Sequence, residues 1–90
     1  MGDIIAKANG TMAYVEPANK NDYTLTELKA IVGGHIELVD LGKRYLVVNE
    51  DGKLLRLPYN TLATNWMLTA IGGNDFIVGD ALLCEKEHIK

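Results

Sequence analysis

Ninety residues, 48% apolar and 23% charged, are enough for one domain around one modest core. The net charge is −3, with nine Lys and Arg against twelve Asp and Glu, so there is no broad basic face for a duplex DNA or RNA backbone. A single cysteine, Cys84, excludes an intrachain disulfide, and no run reaches the roughly 20 apolar residues that span a bilayer.

In chain order, residues 3–16 read as a hairpin. "DIIAKA" and "TMAYVE" flank Asn9-Gly10, the pair that suits a two-residue type I′ turn with positive φ at both positions. Pro17 stops the second strand because it has no N–H to donate. Residues 24–32 read as a helix. Thr24 is the N-cap, Glu27 stands at capping-box spacing, and Tyr23 and Leu28 occupy the staple positions. Leu25, Leu28, Ile31 and Val32 share a face, and Gly33-Gly34 ends the helix.

Residues 35–58 read as a three-strand meander with tight turns at Gly42-Lys43 (type II′) and Asp51-Gly52 (type I′). "KLLRL" would be its third strand. Leu46, Val47 and Val48 are apolar in succession, which predicts a central strand covered on both faces. A second helix starts at Asn60 or Thr61, carries Leu62, Ala63, Trp66, Met67, Ala70 and Ile71 at helical spacing, and stops at Gly72-Gly73. A last strand runs from Phe76 to Cys84, with Gly79 marking a bulge. The expected fold is α+β: a mostly antiparallel curved sheet of about six strands with two helices packed on it. Residues 1–90 form one domain whose tail, 85–90, frays.

The chain offers little for catalysis. It contains no Ser, so a Ser-His-Asp triad is excluded, and no Gly-Lys-Thr or G-x-G-x-x-G loop cradles phosphates. "NEDGKL" lacks the distal Glu of a calcium loop, and two His with one Cys, widely spaced, make no zinc site. No metal and no cofactor is expected. A hydrolase using His35 is the weakest of the functional readings. The polar surplus lies at Asn49, Glu50, Lys53, Arg56 and Asn60, which a hairpin does not require. A solvated strand edge accounts for such residues in most proteins. Tyr59, beside them, can stack on a ring.

Five blocks carry a resemblance. They are Leu25–Leu28, Val32–Glu37, Val47–Leu54, Leu57–Ala63 and Ile77–Leu83, in the pattern VGGxIE, then VVNEDGKLxxLPxNxxAT, then IVGDxLL. This resembles a small family of unknown function from bacteriophages and other mobile elements, matched over about residues 11–84, with "DIIAKANG" as an addition. The position after the double glycine, commonly Tyr, is His35 here. The resemblance implies an accessory protein in the host bacterial cytoplasm that counters host defence without catalysis. It would sequester a small anionic, nucleotide-like immune signal. Lys53 and Arg56 would hold phosphate, Asn49, Glu50 and Asn60 would bond the base or ribose, Tyr59 would stack, and His35 would complete the set. A homo-oligomer could share the pocket. The alternative is a protein-interaction module that inhibits a host or phage protein by direct contact.

Overall fold

The computed structural model describes residues 2–90. Its strands are β1 (Asp3–Ala6), β2 (Met12–Val15), β3 (Ile36–Asp40), β4 (Arg44–Asn49) and β5 (Ala81–Glu85). They form one open sheet in the order β2-β1-β5-β4-β3, and every neighbouring pair is antiparallel. Helices α1 (Leu25–Val32) and α2 (Thr61–Ile71) complete an α+β fold, with a short 3-10 turn at Lys86–His88. The sheet thus has five strands where about six were expected.

Side chains alternate along the central strands, and each face collects its own helix. Leu46, Val48, Ala81 and Leu83 pack with Ala63 and Met67 of α2. Val47, Leu82 and Cys84 pack with Leu28 and Val32 of α1. Leu46, Val47 and Leu82 are fully buried, and each contributes about 1.5–3 kcal/mol of apolar burial. The double-sided apolar character of residues 46–48 is met, because β4 is covered on both faces. β5 occupies the centre, pairing Leu82 with Ile5 on one side and with Val47 on the other.

Local signals set most element ends. Thr24 Oγ1 accepts from the Glu27 N–H while the Glu27 carboxylate accepts from the Thr24 N–H, so the capping box closes. The first hairpin forms, with a different turn. The Gly10 N–H donates to the Lys7 carbonyl and the Lys7 N–H to the Thr11 carbonyl. Only Gly10 has positive φ (94°); Asn9 keeps negative φ and accepts from the Thr11 N–H. That is a type I turn followed by a left-handed glycine, a three-residue loop whose Asn side chain caps it.

The third meander strand does not form. Residues 50–56 are a compact turn in which the Leu55 N–H donates to the Asp51 carbonyl and the Leu57 N–H to the Gly52 carbonyl. The reason is edge occupancy: β4 already pairs with β3 and β5, so the segment that follows it cannot pair back with β4 as a meander requires. Gly52 is not at positive φ. It is needed because a Cβ there would stand 2.9 Å from Val78 Cγ2 and 3.3 Å from the Asn49 carbonyl oxygen. The turn closes on Arg56 at φ 56°, a left-handed conformation that costs a non-glycine residue about 1–2 kcal/mol. The last strand begins at Ala81 rather than Phe76. The Gly79 N–H donates to Pro58, and Val78 bridges Tyr59, which draws residues 76–79 away from the sheet.

Asn60 is the N-cap of α2 and holds three parts of the chain together. Its Oδ1 accepts from the Ala63 N–H (3.0 Å), and its Nδ2 donates to the carbonyls of Ala6 (2.9 Å) and Gly79 (2.8 Å). The side chain is fully buried. The tail is tied down in a similar way, where fraying was expected. The buried Asp3 carboxylate accepts from the Tyr23 hydroxyl (2.7 Å) and the Glu85 N–H (3.1 Å), and His88 Nδ1 lies 2.7 Å from it. A buried carboxylate is stable only when bonded in this way, and its partners here come from both ends of the chain. The tail backbone adds a bond from the Tyr23 N–H to the His88 carbonyl (2.9 Å).

Replacing Asn60 with Ala removes a donor from two buried carbonyls and the acceptor of one helix N–H, an expected loss of about 3 kcal/mol or more in urea unfolding. Asp at the same position is a good N-cap but cannot donate. Asn60→Asp should therefore cost nearly as much as Asn60→Ala, and near-wild-type stability in the Asp variant would show that the cap alone matters.

A second expectation concerns alkaline pH. Burial, aided by the Asp3 carboxylate, raises the Tyr23 phenol far above its usual range and pushes the Cys84 thiol from 9.0 up to about 12. Both groups keep their protons longer folded than unfolded, so their contribution is intact below about pH 9 and is lost as pH rises. Unfolding free energy should decline above that point by up to about 1.4 kcal/mol per pH unit for each group. Cys84→Ala should flatten the slope between about pH 9 and 10, before Tyr23 contributes. A level profile up to about pH 11 would contradict this account.

Candidate functional site

The turn after β4, the end of α2 and the irregular stretch before β5 enclose a cleft of about 410 Å³. Its floor is Val39, Val48, Met67 and Ile77, core residues of the α2 face. Its rim carries Glu37, Glu50, Asp75 and Lys53, with Leu54, Ile71 and Phe76 as exposed apolar walls. Leu54 stands in water because the 50–56 turn lifts it off the sheet, and it is 86% exposed. Ile71, placed on the apolar stripe by its spacing, is exposed instead, since the last turn of α2 overhangs the cleft.

Lys53 is paired and half-exposed. Its ammonium bonds the Asp75 carboxylate and sits 4.4 Å from the centre of the Phe76 ring. That hydrogen bond, with another from the Phe76 N–H (2.7 Å), holds the Asp75 carboxyl below the usual carboxylate range. Tyr59 stacks on Phe76 with ring centres 5.9 Å apart. Cation, ring and ring thus form one ordered wall over an exposed loop.

The seven residues picked from the sequence separate into three groups. Asn49 and Asn60 are buried, and Asn49 also lines the cleft. Asn49 Nδ2 donates to the Val32 carbonyl (3.0 Å) and its Oδ1 accepts from the Asp51 N–H (2.8 Å), which ties α1 to the turn. Asn60 uses its whole amide on α2, β1 and Gly79. Lys53, Tyr59 and Glu50 lie at or beside the cleft. His35 and Arg56 are exposed and lie outside its lining. Leu54, Asp75 and Glu37 do not figure among the residues picked from the sequence, where Phe76 reads as the start of the last strand. Only the adjacent Leu54-Leu55 pair carried a signal, since two successive large apolar residues beside a turn cannot both face the core of a strand.

His35 makes a separate constellation. Its Nδ1 lies 3.5 Å from Asp51 Oδ2, and one ligand atom each from His35, Glu50 and Asp51 falls within 4.8 Å of the others. Such a trio offers a divalent cation three donors. Two of the residues are exposed and the third half-buried, so little besides that one contact orders them. A nucleophile is not at hand beside it, as Cys84 is buried in the α1 face.

No curated protein and no solved structure matches the chain. A family model described as a domain of unknown function, DUF3846, matches residues 3–89. The match includes the N-terminal hairpin, which the motif blocks alone left outside. β1 lies inside the sheet between β2 and β5, so that hairpin is integral to the fold. With nearly every residue from Asp3 onward inside the match, the chain belongs to the DUF3846 family of small domains of unknown function.

Proposed function

We propose that the protein is a non-catalytic binding module whose cleft beside Leu54 and Phe76 receives an apolar side chain, flanked by basic residues, from a partner protein. One observation carries this reading. Of the nine exposed large apolar side chains among the described residues, Leu54, Ile71 and Phe76 line this cleft and Tyr59 stacks on Phe76 beside it. Apolar surface gathered in one patch and rimmed by charge marks interaction sites, whereas single exposed apolar residues are ordinary. The rim sets the preferred charge. Three carboxylates stand there against one ammonium, and Asp75 already neutralises that ammonium. Such a rim attracts a cationic segment and repels an anionic one. In a phage or mobile element, direct contact of this kind would inhibit a host or phage protein.

A small anionic, nucleotide-like ligand held by the 49–60 segment is the second reading, and Arg56 favours it. It is exposed, has no ion pair among the described residues, and is held at φ 56°. Against it, the amides of Asn49 and Asn60 are spent inside the fold and Lys53 is paired. Turnover using His35 has less support, because the one thiol, Cys84, is buried in the α1 face and burial pushes it up to about 12.

NMR titration of the 15N-labelled protein with a short peptide of alternating Leu and Lys, and with its Leu–Glu counterpart, tests the leading reading. The basic peptide is expected to shift the amides of Leu54, Ile71 and Phe76, and the acidic one to leave them unmoved. Leu54→Asp and Phe76→Asp each alter an exposed residue, and each should weaken binding about tenfold or more with circular dichroism unchanged. Shifts confined to another surface, or equal response to both peptides, would refute it.

A further inference from the structure

A second concavity, of about 320 Å³, lies on the other flank of α2, against the β3–β4 turn. The helix contributes Asn65, Trp66, Thr69 and Ala70, two pairs spaced four apart and so one continuous face. The turn contributes Leu41, Lys43 and Arg44, and Leu83 lines the groove from the central strand. Leu41 and Trp66 are half-buried against the core, which seats the groove on fixed structure. Ala70 leaves open the space that a larger side chain would fill.

The unpaired charge at this groove, that of Lys43, is opposite in sign to the net charge of the chain, while Glu85 offsets Arg44. The protein carries −3 overall, yet the groove is lined by two cations and no carboxylate. Arg44 Nε is engaged by Glu85 at 3.0 Å, which fixes the guanidinium. Lys43 is exposed at the tip of the turn and makes no ion pair among the described residues. The recess is thus mostly apolar, with the half-buried Trp66 indole in its wall, the Lys43 ammonium at its edge, and Asn65 and Thr69 exposed beside it. An indole offers a stacking surface to a flat ring, the Lys43 ammonium can bind an anion, and Asn65 and Thr69 can bond ring substituents.

We propose that this groove binds a small aromatic anion, a flat ring bearing a phosphate, with Trp66 contacting the ring and Lys43 the anion. The site is independent of the partner cleft, and it moves small-anion binding away from residues 49–60.

Trp66 is the only tryptophan in the chain, so its fluorescence reports on the groove directly. The protein would be titrated with AMP, GMP, CMP and UMP, with adenosine as ring alone and inorganic phosphate as anion alone. At least one nucleotide should quench Trp66 saturably, with affinity at least tenfold above both controls. Lys43→Glu, an exposed turn substitution, should lower that affinity at least tenfold, while Arg56→Ala and Leu54→Asp leave it unchanged. No saturable quench by any nucleotide up to millimolar concentration would overturn the proposal. So would binding that survives Lys43→Glu or is lost in Arg56→Ala, which would place the anion at the 50–56 turn. Peptide binding at the partner cleft is read separately and does not bear on this result.

Discussion

The fold depends on one amide. Asn60 sits at zero exposure and uses both ends of its side chain to join the end of β1, the approach to β5 and the start of α2. An unmet polar group in the interior costs more than a hydrogen bond returns, so these three backbone segments are held in one relation. β5 can then run down the centre of the sheet, and α2 can begin at the right height to cover Leu46 and Leu83. The Asp3 carboxylate does the same at the other end of β1, binding the tail through Glu85 and His88.

The placement of β5 also shapes the surface. With β3 and β5 on its two edges, β4 cannot pair with the chain that follows it, and residues 50–56 fold on themselves. That turn puts Leu54 into solvent next to Phe76 and Ile71, and the α2 overhang makes the space between them a cleft. The acidic rim follows from the neighbouring strand, where Glu37 projects from β3, and from Asp75 in the glycine-rich stretch after α2. α2 therefore has an apolar recess with an acidic rim on one flank, and on the other an apolar, tryptophan-lined one with Lys43 at its edge.

The helices were legible because their signals are local. The capping box at Thr24 and Glu27, the N-cap at Asn60 and the glycines at 33 and 72 act within four residues of one another and need no knowledge of the fold. The same holds for the Gly42 turn, where only Gly42 has positive φ, and for the two-sided apolar run in β4. Turn type at Asn9-Gly10 was less legible, as an Asn side chain can cap a longer loop as readily as it can enter a two-residue one.

The sequence by itself determined the α+β class, both helices with their ends, and the burial of residues 46–48. Only the tertiary structure decided that "KLLRL" is a turn, that Asn49 and Asn60 are spent inside, and that the tail is fastened. Those outcomes rest on contacts between residues far apart in the chain, such as Asn60 with Ala6 and Asp3 with His88. Whether a strand has a free edge, or an amide a buried carbonyl to meet, is set by which distant segments arrive beside it. Propensity and periodicity do not encode that.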